Sequence, residues 1–576
     1  MQRNLCYLFG LTACLLSLPA DSFSLHSVTS PFLLMCVLHL LISCSRENLN
    51  KIFSLVVNLI IILICSVDIF CQVYFFTTLT PNLVSTTLAT DWIEAKEFVS
   101  VFVTWDLLSE LRITTSLLLL VFCILVNVFP INKWFNRWHK SIGNITHKKL
   151  MRVVSYAIIV FVIIFELQPS YLFLQLLGSA GNAPKEESLI FQKYNKEMQT
   201  PLHRLTYSLC AYNGASRTID SIKKMNLTAM VDSCSHLSPH IVLVIGESYN
   251  KHHSSIYGYK NNTTPQQKQR MENGELYVFK DVVSNWNITS NVFLAMFSLW
   301  DCSTENDITD YPLFPVLFRR SAYQVNFYSN QYVLRGKSRG LASQSGLFFL
   351  NDSEMSNQLF TSRNEKESIY DKGLIDEFRN SILFTNWKNH NTLDIIHLRG
   401  QHIDYAKRYP SDFAVFGESH VQDPSLSKEE RNIVAQYDNA VLYNDMILES
   451  IISMLEDENV VVIFVADHGN EVFDELHIHG RLFTSPTKSI AKNEYEIPMW
   501  IWCSNEYKRL NPQIAKNAMN AVNKPFLIDD IPQVLCYLAG IKSNYLRNER
   551  NILSPKYTIK QRIIWDSVDY DQLFSQ

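Results

Sequence analysis

The first third of the chain alternates long apolar stretches with short polar ones. Five runs are apolar and contain very few charges: Leu5–Pro19, Pro31–Cys44, Ile52–Phe76, Thr114–Pro130 and Val153–Leu177. The third and fifth runs are long enough to cross a hydrocarbon core of about 30 Å as helices, whereas the others lie near or below the usual minimum of about 17 residues. Any one of these runs, taken alone, could also be a buried core helix of a soluble protein. Their clustering predicts an α-helical membrane domain of about five transmembrane helices over residues 1–178.

The charges of the loops predict the orientation of this domain. Cations crowd the loop Lys133–Arg152, and Arg3 precedes the first run. The alternate loops, Ser22–Ser30 and Thr77–Leu111, are poor in cations, so they are expected on the opposite side. The segments after about Gly178 are then expected outside the cytoplasm. The first run also fits a cleaved signal peptide, which would leave this final orientation unchanged.

Beyond the membrane region the pattern changes to short apolar runs alternating with amphipathic stretches. Residues 179–237 form a polar connector, in which an interfacial helix around Leu189–Cys210 and an ordinary solvated linker are both compatible with the sequence. A helical spacing of apolar residues covers about Arg431–Glu456. The candidate strands are Ile241–Ile245, Gln324–Tyr328, Asp394–Leu398, Val460–Ala466 and Pro498–Trp502. The alternation predicts an α/β/α domain with a mostly parallel central sheet over residues 238–576.

Composition limits the classes of function. Hydrophobic residues make up 47% of the chain, charged residues 18%, and the net charge is -4, so no nucleic-acid partner is expected. Of the twelve cysteines, the five that follow the membrane region lack Cys-x-x-Cys spacing, which argues against a zinc finger.

The candidate chemistry lies at the ends of two predicted strands. Glu247 directly follows the strand at Ile241, and Asp467 and His468 directly follow the strand at Val460. The carboxyl ends of parallel strands form the ligand crevice of an α/β sheet, so these groups are expected to converge there. Together with the hydroxyl of Thr289, two carboxylates and an imidazole are suited to one zinc ion.

Ordered sequence blocks then resemble a known family. The block Ile241–Tyr259, which reads IVLVIGESYNKHHSSIYGY, resembles the opening motif of the bacterial phosphoethanolamine transferases, membrane members of the alkaline phosphatase and sulfatase superfamily. Later blocks match in the same order: Ile395–Pro410, Gln436–Asp445, Ala466–Gly480 and Glu496–Trp502. Within the family, the blocks look most like the enzymes that modify the lipopolysaccharide core.

The resemblance implies roles for individual residues. Glu247, Asp467 and His468 would bind zinc, with Thr289 as both the fourth ligand and the nucleophile. Ser290 and Ser284 are close enough in sequence to be rival nucleophiles.

The resemblance also implies groups around the nucleophile. His402 and His479 lie in blocks that look like those carrying the phosphate-site histidines, where they would bind phosphoryl oxygens or help to hold a second metal. Asn330 and Gln331 follow a strand and are candidates for the donor pocket.

The implied reaction transfers phosphoethanolamine from phosphatidylethanolamine to a cell-envelope glycolipid, lipopolysaccharide core or lipid A, through a covalent threonine intermediate. The implied location is the bacterial inner membrane, with the catalytic domain in the periplasm. Two alternatives stay open: a related transferase with a glycerolphosphate headgroup or a glucan acceptor, and a non-catalytic membrane-anchored binding protein. Sulfatase activity is disfavoured, because neither Ser284 nor Cys302 is followed by x-Pro-x-Arg.

Overall fold

The computed structural model describes residues 2–19, 24–43, 47–90, 92–128, 148–180, 198–331, 352–364, 366–384 and 387–575. The chain divides into two compact units. One comprises Met1–Thr87 and Phe98–Ala215, and the other comprises Leu88–Glu97 and Ser216–Gln576. Most of the cationic loop that carries the orientation argument, and the first part of the predicted connector, lie outside the described residues.

The first unit is built from apolar helices. Its helices, including three that are shared with the second unit, are Gln2–Leu16, Leu25–Ser43, Glu47–Tyr74, Pro81–Ala89, Trp92–Phe102, Leu111–Val128, Lys148–Ser179 and Pro201–Thr228. In the part of the chain that the structure describes, each of the five predicted apolar runs is helical over most of its length. Three candidate spans are long and apolar enough to cross a membrane, namely Leu25–Ser43, Leu49–Tyr74 and Val153–Gly178, and Leu5–Leu16 and Leu111–Asn127 are shorter.

The buried charged groups Arg204, Asp68 and Glu166 of the helical unit have hydrogen-bond partners. Arg204 Nη2 lies 2.6 Å from Asp68 Oδ2, and its Nη1 donates to the carbonyl oxygen of Met198 at 3.0 Å. Glu166, inside the span Val153–Gly178, accepts a hydrogen bond of 2.6 Å from Ser30 Oγ. An ionisable side chain in an apolar surrounding is costly unless it is paired, so these contacts let the helices keep such groups.

The second unit is organised around a seven-stranded sheet. Its strands are β1 His240–Gly246, β2 Leu276–Phe279, β3 Tyr323–Ser329, β4 Ser362–Arg363, β5 Asn391–His397, β6 Val460–Ala466 and β7 Met499–Cys503. Their spatial order is β2-β7-β6-β1-β5-β3-β4. Strands β1 and β6 are buried over their whole length, which explains their continuous apolar sequence.

The sheet is mixed. Strand β7 pairs antiparallel with both β6 and β2, while the pairings from β6 through β1, β5 and β3 to β4 are parallel. The prediction of a mostly parallel sheet therefore describes the centre and not the β2-β7 edge. All five predicted strands are present, with ends that differ by at most a few residues, whereas β2 and β4 were not predicted.

Helices and short strand pairs surround this sheet. The helices of this unit, apart from the three shared ones already given, are Pro265–Glu272, Thr289–Phe297, Phe314–Arg320, Ser353–Leu359, Asp371–Phe384, Lys428–Leu455, Lys488–Ile490, Asn505–Leu510, Pro512–Ala521, Ile531–Ala539 and Tyr570–Ser575. The paired short strands are Ser233–Cys234 with Ile541–Lys542, Val282–Val283 with Phe526–Leu527, Glu471–Val472 with His479–Gly480, and Ile563–Ile564 with Val568–Asp569.

The longest helix of this unit, Lys428–Leu455, starts three residues before the predicted helix. A capping box explains this start: Glu430 N donates to Ser427 Oγ at 3.2 Å, and Ser427 N donates to Glu430 Oε2 at 2.6 Å. These two bonds satisfy amides that have no partner inside the helix. None of the cysteines that the structure describes forms a disulfide.

Candidate active site

Two carboxylates meet where neighbouring parallel strands end. Strands β1 and β6 pair in register up to Gly246 and Ala466, so Glu247 and Asp467 occupy equivalent positions just beyond them. The amide of Asp467 donates to the carbonyl oxygen of Gly246 at 2.9 Å, which continues the ladder to the site. Both carboxylates are fully buried. The expected convergence at the carboxyl ends of the strands is therefore present.

Ser248 holds the two carboxylates together. Its amide donates to Asp467 Oδ1 at 3.1 Å, and its hydroxyl donates to Glu247 Oε1 at 2.6 Å. Ser248 has a φ of 56°, a left-handed conformation that costs free energy for a residue with a side chain. The hydroxyl of Tyr437 donates to the carbonyl oxygen of Ser248 at 2.6 Å and helps to fix this turn. The sequence analysis missed Ser248, although it directly follows Glu247.

His468 presents one ring nitrogen to the carboxylates. Its Nδ1 lies 2.7 Å from the carbonyl oxygen of Gly469, so Nδ1 carries the proton and Nε2 is left as an acceptor. Nε2 lies 3.3 Å from Glu247 Oε1 and 3.3 Å from Asp467 Oδ2. Gly469 permits this turn, because a Cβ there would lie 2.2 Å from the carbonyl oxygen of Asn493.

Thr289 places its hydroxyl against the same groups. It is the first residue of the helix Thr289–Phe297, and Oγ1 lies 3.2 Å from both Glu247 Oε2 and His468 Nε2. The positive end of the helix dipole favours negative charge at this position. By contrast, the two rival hydroxyls donate to groups outside this cluster. Ser290 Oγ donates to Asn291 Oδ1, and Ser284 Oγ donates to the carbonyl oxygen of Trp286.

The donor set fits a divalent cation. Glu247, Asp467 and His468 each offer a ligand atom, and these atoms lie within 4.8 Å of one another. Asp467 Oδ2 is buried and accepts no hydrogen bond from the described residues. Burial and the neighbouring Glu247 carboxylate raise the pKa of Asp467 well above its usual range. A bound cation would occupy the free lone pair and offset this repulsion, and a set of two carboxylates and one imidazole suits zinc.

Gln331 supports this cluster. Its Nε2 donates to Glu247 Oε2 at 3.2 Å and to the carbonyl oxygen of Leu398 at 2.8 Å. Asn330 instead braces the loop, because its Nδ2 donates to Asp371 Oδ1 at 2.9 Å and its Oδ1 accepts from an amide. The sequence proposal that both residues line a donor pocket stays a prediction.

Among the described side chains, the two other candidate histidines are not members of the three-residue cluster. Burial lowers the pKa of His402 to about 3, although the Glu247 carboxylate partly opposes this shift. Burial also lowers the pKa of His479 to about 4. His479 lies on the short strand paired with Glu471–Val472, and its ring packs near Phe473 at a centroid distance of 5.3 Å. Both rings are therefore neutral near pH 7.

Comparison with known proteins assigns the class. The family model described as Sulfatase matches residues 239–540, more than half of the chain, and the chain belongs to this family. Within it, the chain is similar to proteins named phosphoethanolamine transferases, which confirms the resemblance found in the sequence blocks.

Two relatives illustrate this similarity. The phosphoethanolamine transferase EptC of Escherichia coli O18:K1:H7 (strain RS218 / NMEC) is 26% identical over 350 residues, which cover 58% of this chain and 57% of the relative. The phosphoethanolamine transferase EptA of Helicobacter pylori (strain ATCC 700392 / 26695) is 27% identical over 399 residues, covering 64% and 71%. The chain thus spans less than three fifths of the length of the E. coli relative.

Solved structures show the same fold. The C-terminal periplasmic domain of EcEptC from Escherichia coli, in complex with Zn, matches with a TM-score of 0.52 at 24% identity, covering 60% of this chain and 95% of that domain. The integral membrane protein lipooligosaccharide phosphoethanolamine transferase A (EptA) from Neisseria meningitidis matches with a TM-score of 0.57 at 16% identity, covering 95% and 98%. The likeness to the second structure extends over the helical unit as well as the sheet unit.

Proposed function

We propose that this chain transfers phosphoethanolamine from phosphatidylethanolamine to a cell-envelope glycolipid, lipopolysaccharide core or lipid A, through a covalent intermediate on Thr289. The observation that carries the proposal is the contact of the Thr289 hydroxyl with Glu247 and His468, at 3.2 Å each, in a Sulfatase-family domain. Relatives named phosphoethanolamine transferases, including a Kdo(2)-lipid A phosphoethanolamine 7''-transferase of Salmonella typhimurium, support the substrate class.

The proposed site holds one zinc ion on Glu247, Asp467, His468 and the hydroxyl of Thr289. A zinc ion bound there would supply Lewis acidity, lowering the pKa of a hydroxyl and stabilising negative charge on phosphoryl oxygens. The Thr289 oxygen attacks the phosphorus of the donor, the bond from phosphorus to the diacylglycerol oxygen breaks, and diacylglycerol leaves as the alcohol. A hydroxyl of the acceptor then attacks the same phosphorus and frees Thr289.

The chain's other residues prepare these two steps. Ser248 and Gln331 hold Glu247 by hydrogen bonds of 2.6 Å and 3.2 Å, which fixes the carboxylate before any ligand arrives. We assign His402 and His479 to the phosphoryl oxygens or to a second zinc ion. Their lowered pKa values favour neutral rings, which donate a hydrogen bond or ligate a metal and do not act as imidazolium charges.

The proposed location is the inner membrane, with residues 1–178 as a five-helix anchor, residues 179–237 as a connector and residues 238–576 as the periplasmic catalytic domain. A catalytic domain held at the membrane surface meets a lipid headgroup and a glycolipid acceptor without a search through solution. The three candidate spans and the similarity to an integral membrane transferase support this arrangement.

Headgroup release tests the donor. The purified full-length protein is incubated in mixed micelles with either phosphatidylethanolamine or phosphatidylglycerol, and diacylglycerol is quantified. We expect release from phosphatidylethanolamine that depends on zinc. Release from phosphatidylglycerol alone would identify the glycerolphosphate transferase instead. No release from either lipid by a zinc-loaded, folded protein would favour the non-catalytic binding protein.

A further inference from the structure

Arg481 is a cationic residue beside the proposed nucleophile Thr289. The sequence motifs assign no role to Arg481. Its Nη1 donates to His468 Nε2 at 2.8 Å and to the carbonyl oxygen of Asn287 at 3.3 Å. Because His468 Nε2 lies 3.2 Å from Thr289 Oγ1, these contacts limit the separation of Nη1 from the nucleophile oxygen to about 6 Å. A single phosphoryl group bonded to the reacting oxygen could therefore contact the guanidinium group.

The hydrogen bonds of Arg481 differ from those of the carboxylate-paired arginines Arg270 and Arg550 of this unit. Arg270 donates to Glu449 and Glu275, and Arg550 donates to Asp530, so these guanidinium groups are neutralised by carboxylates. Arg481 donates to an uncharged imidazole and to a carbonyl oxygen, and among the described residues both bonds are made by Nη1 alone. Its Nε and Nη2 donors are left available for an anion.

The backbone on both sides of Arg481 is anchored. Gly480, which precedes it with a φ of 113°, ends the short strand paired with Glu471–Val472. Leu482, which follows it, donates its amide to the buried carboxyl of Glu494 at 3.1 Å and accepts from Asn287 Nδ2 at 2.7 Å. Asn287 lies two residues before Thr289, so the segment bearing Arg481 is tied to the loop that carries the nucleophile.

The charge at this site also favours an anion. His468 Nε2 has one lone pair, so it could not both ligate a zinc ion and accept the hydrogen bond from Arg481. In a zinc-loaded site the Nη1 donor of Arg481 would therefore be free to bind another acceptor. With two carboxylates balanced by a divalent cation, Arg481 supplies a remaining positive charge beside Thr289. A phosphoryl group offers planar pairs of oxygens, which a guanidinium group binds by two parallel hydrogen bonds.

We propose that Arg481 is a further catalytic residue, which binds the non-bridging phosphoryl oxygens during transfer to and from Thr289. This inference rests on the proposed function for the identity of the donor. The charge on these oxygens grows in the transition state, so Arg481 acts on the rate of transfer more than on the binding of the lipid. The chemical group that Arg481 recognises is the phosphoryl group itself, in either a phosphodiester substrate or inorganic phosphate.

The test compares the full-length zinc-loaded wild type with Arg481→Gln, Arg481→Lys and the surface control Arg509→Gln, which removes an exposed guanidinium paired with Glu506. The rate of phosphoethanolamine adduct formation from phosphatidylethanolamine is followed by intact mass. Loss of one preorganised donor to an oxyanion slows a reaction by roughly 10²–10³-fold, which we expect for Arg481→Gln. Arg481→Lys should recover part of the rate, because it keeps the charge but not the fork.

Zinc content and thermal unfolding are measured on the same samples. We expect both to match the wild type in Arg481→Lys and Arg481→Gln. An adduct rate within twofold of the wild type in both variants would overturn the proposal. A loss of zinc in proportion to the lost rate would also overturn it, because Arg481 would then act through the metal ligands.

A second measurement separates this inference from the proposed donor. Inorganic phosphate is titrated into the zinc-loaded proteins, and binding is followed by calorimetry. We expect at least tenfold weaker phosphate binding in Arg481→Gln than in Arg509→Gln. If the wild type forms no adduct with phosphatidylethanolamine, the proposed donor is wrong, and the phosphate titration still decides the role of Arg481. Equal phosphate affinities in the two variants would refute that role.

Discussion

A buried histidine outside the active site gives a pH dependence of stability that can be calculated. His253 Nδ1 lies 2.8 Å from Asp438 Oδ1, and its Nε2 lies 3.1 Å from Asp474 Oδ1. Burial opposes the charged ring, but Asp474 and Asp438 outweigh it and raise the pKa of His253 to about 10. In the unfolded chain the same ring has a pKa of about 6.5. The folded protein therefore retains a proton that the unfolded chain loses between these values.

The sign and size follow from proton linkage. A raised folded-state pKa contributes stability that is fully present below about pH 6.5 and is lost as the pH rises to about 10. With one extra proton on the folded state, the free energy of unfolding falls by up to about 1.4 kcal/mol per pH unit. For a unit of about 370 residues, with an unfolding entropy of roughly 0.8 kcal/mol/K, that corresponds to a melting temperature lower by about 2 °C per pH unit.

The pH window must exclude a second buried group. Burial raises the pKa of Glu494 to about 8, so its contribution to stability also declines with rising pH, from about 4.5 to 8. Between pH 8 and pH 9.5 this contribution levels off, and it is common to the wild type and His253→Gln. The difference in slope between the wild type and His253→Gln in that window then isolates His253.

The assay follows thermal unfolding of the full-length protein in detergent by tryptophan fluorescence, with His253→Gln, Asp474→Asn and the exposed control His390→Gln. We expect His253→Gln to melt lower throughout, because it leaves two carboxylates facing each other. Its melting temperature should also fall with pH less steeply than that of the wild type, by about 2 °C per pH unit. Asp474→Asn should lose part of that slope. Parallel slopes for the wild type and His253→Gln would refute the reasoning.

Two further substitutions test how the site is supported. Gly469→Ala would place a methyl group 2.2 Å from the carbonyl oxygen of Asn493, so we expect destabilisation of about 1–3 kcal/mol in chemical unfolding. The control Gly417→Ala, with open space around it, should change stability little. Equal effects of the two substitutions would contradict the packing argument. Gln331→Ala removes a hydrogen bond to Glu247, so we expect zinc affinity to fall by roughly 10–100-fold in a competition assay with a chelator, and an unchanged affinity would show that Gln331 does not support the ligand.

The sequence predicted the elements whose signal is local. Strands β1 and β6 are buried on both faces, and their unbroken apolar runs mark them clearly. Their shared register explains why Glu247 and Asp467, distant in the chain, could be expected together. The start of the helix Lys428–Leu455 was missed by three residues, although the capping pair Ser427 and Glu430 is readable in the sequence.

Other features depend on tertiary contacts that no local pattern carries. Strand β2 is a short edge strand defined by its pairing with β7, and the antiparallel direction of β7 cannot be read from its apolar residues. The close approach of Ser248 to both carboxylates depends on its positive φ, which the sequence does not mark for a serine. The neighbourhood of Arg481 and His468 likewise results from a turn between paired strands.

The central claim is that Thr289 carries phosphoethanolamine during transfer, and intact-mass analysis tests it directly. The purified full-length protein is incubated with phosphatidylethanolamine and no acceptor, beside Thr289→Ala and Ser290→Ala. We expect an adduct of phosphoethanolamine mass on the wild type and on Ser290→Ala, and none on Thr289→Ala, because only the Thr289 hydroxyl contacts both Glu247 and His468 among the described hydroxyls of this loop. An adduct that persists on Thr289→Ala would contradict the account.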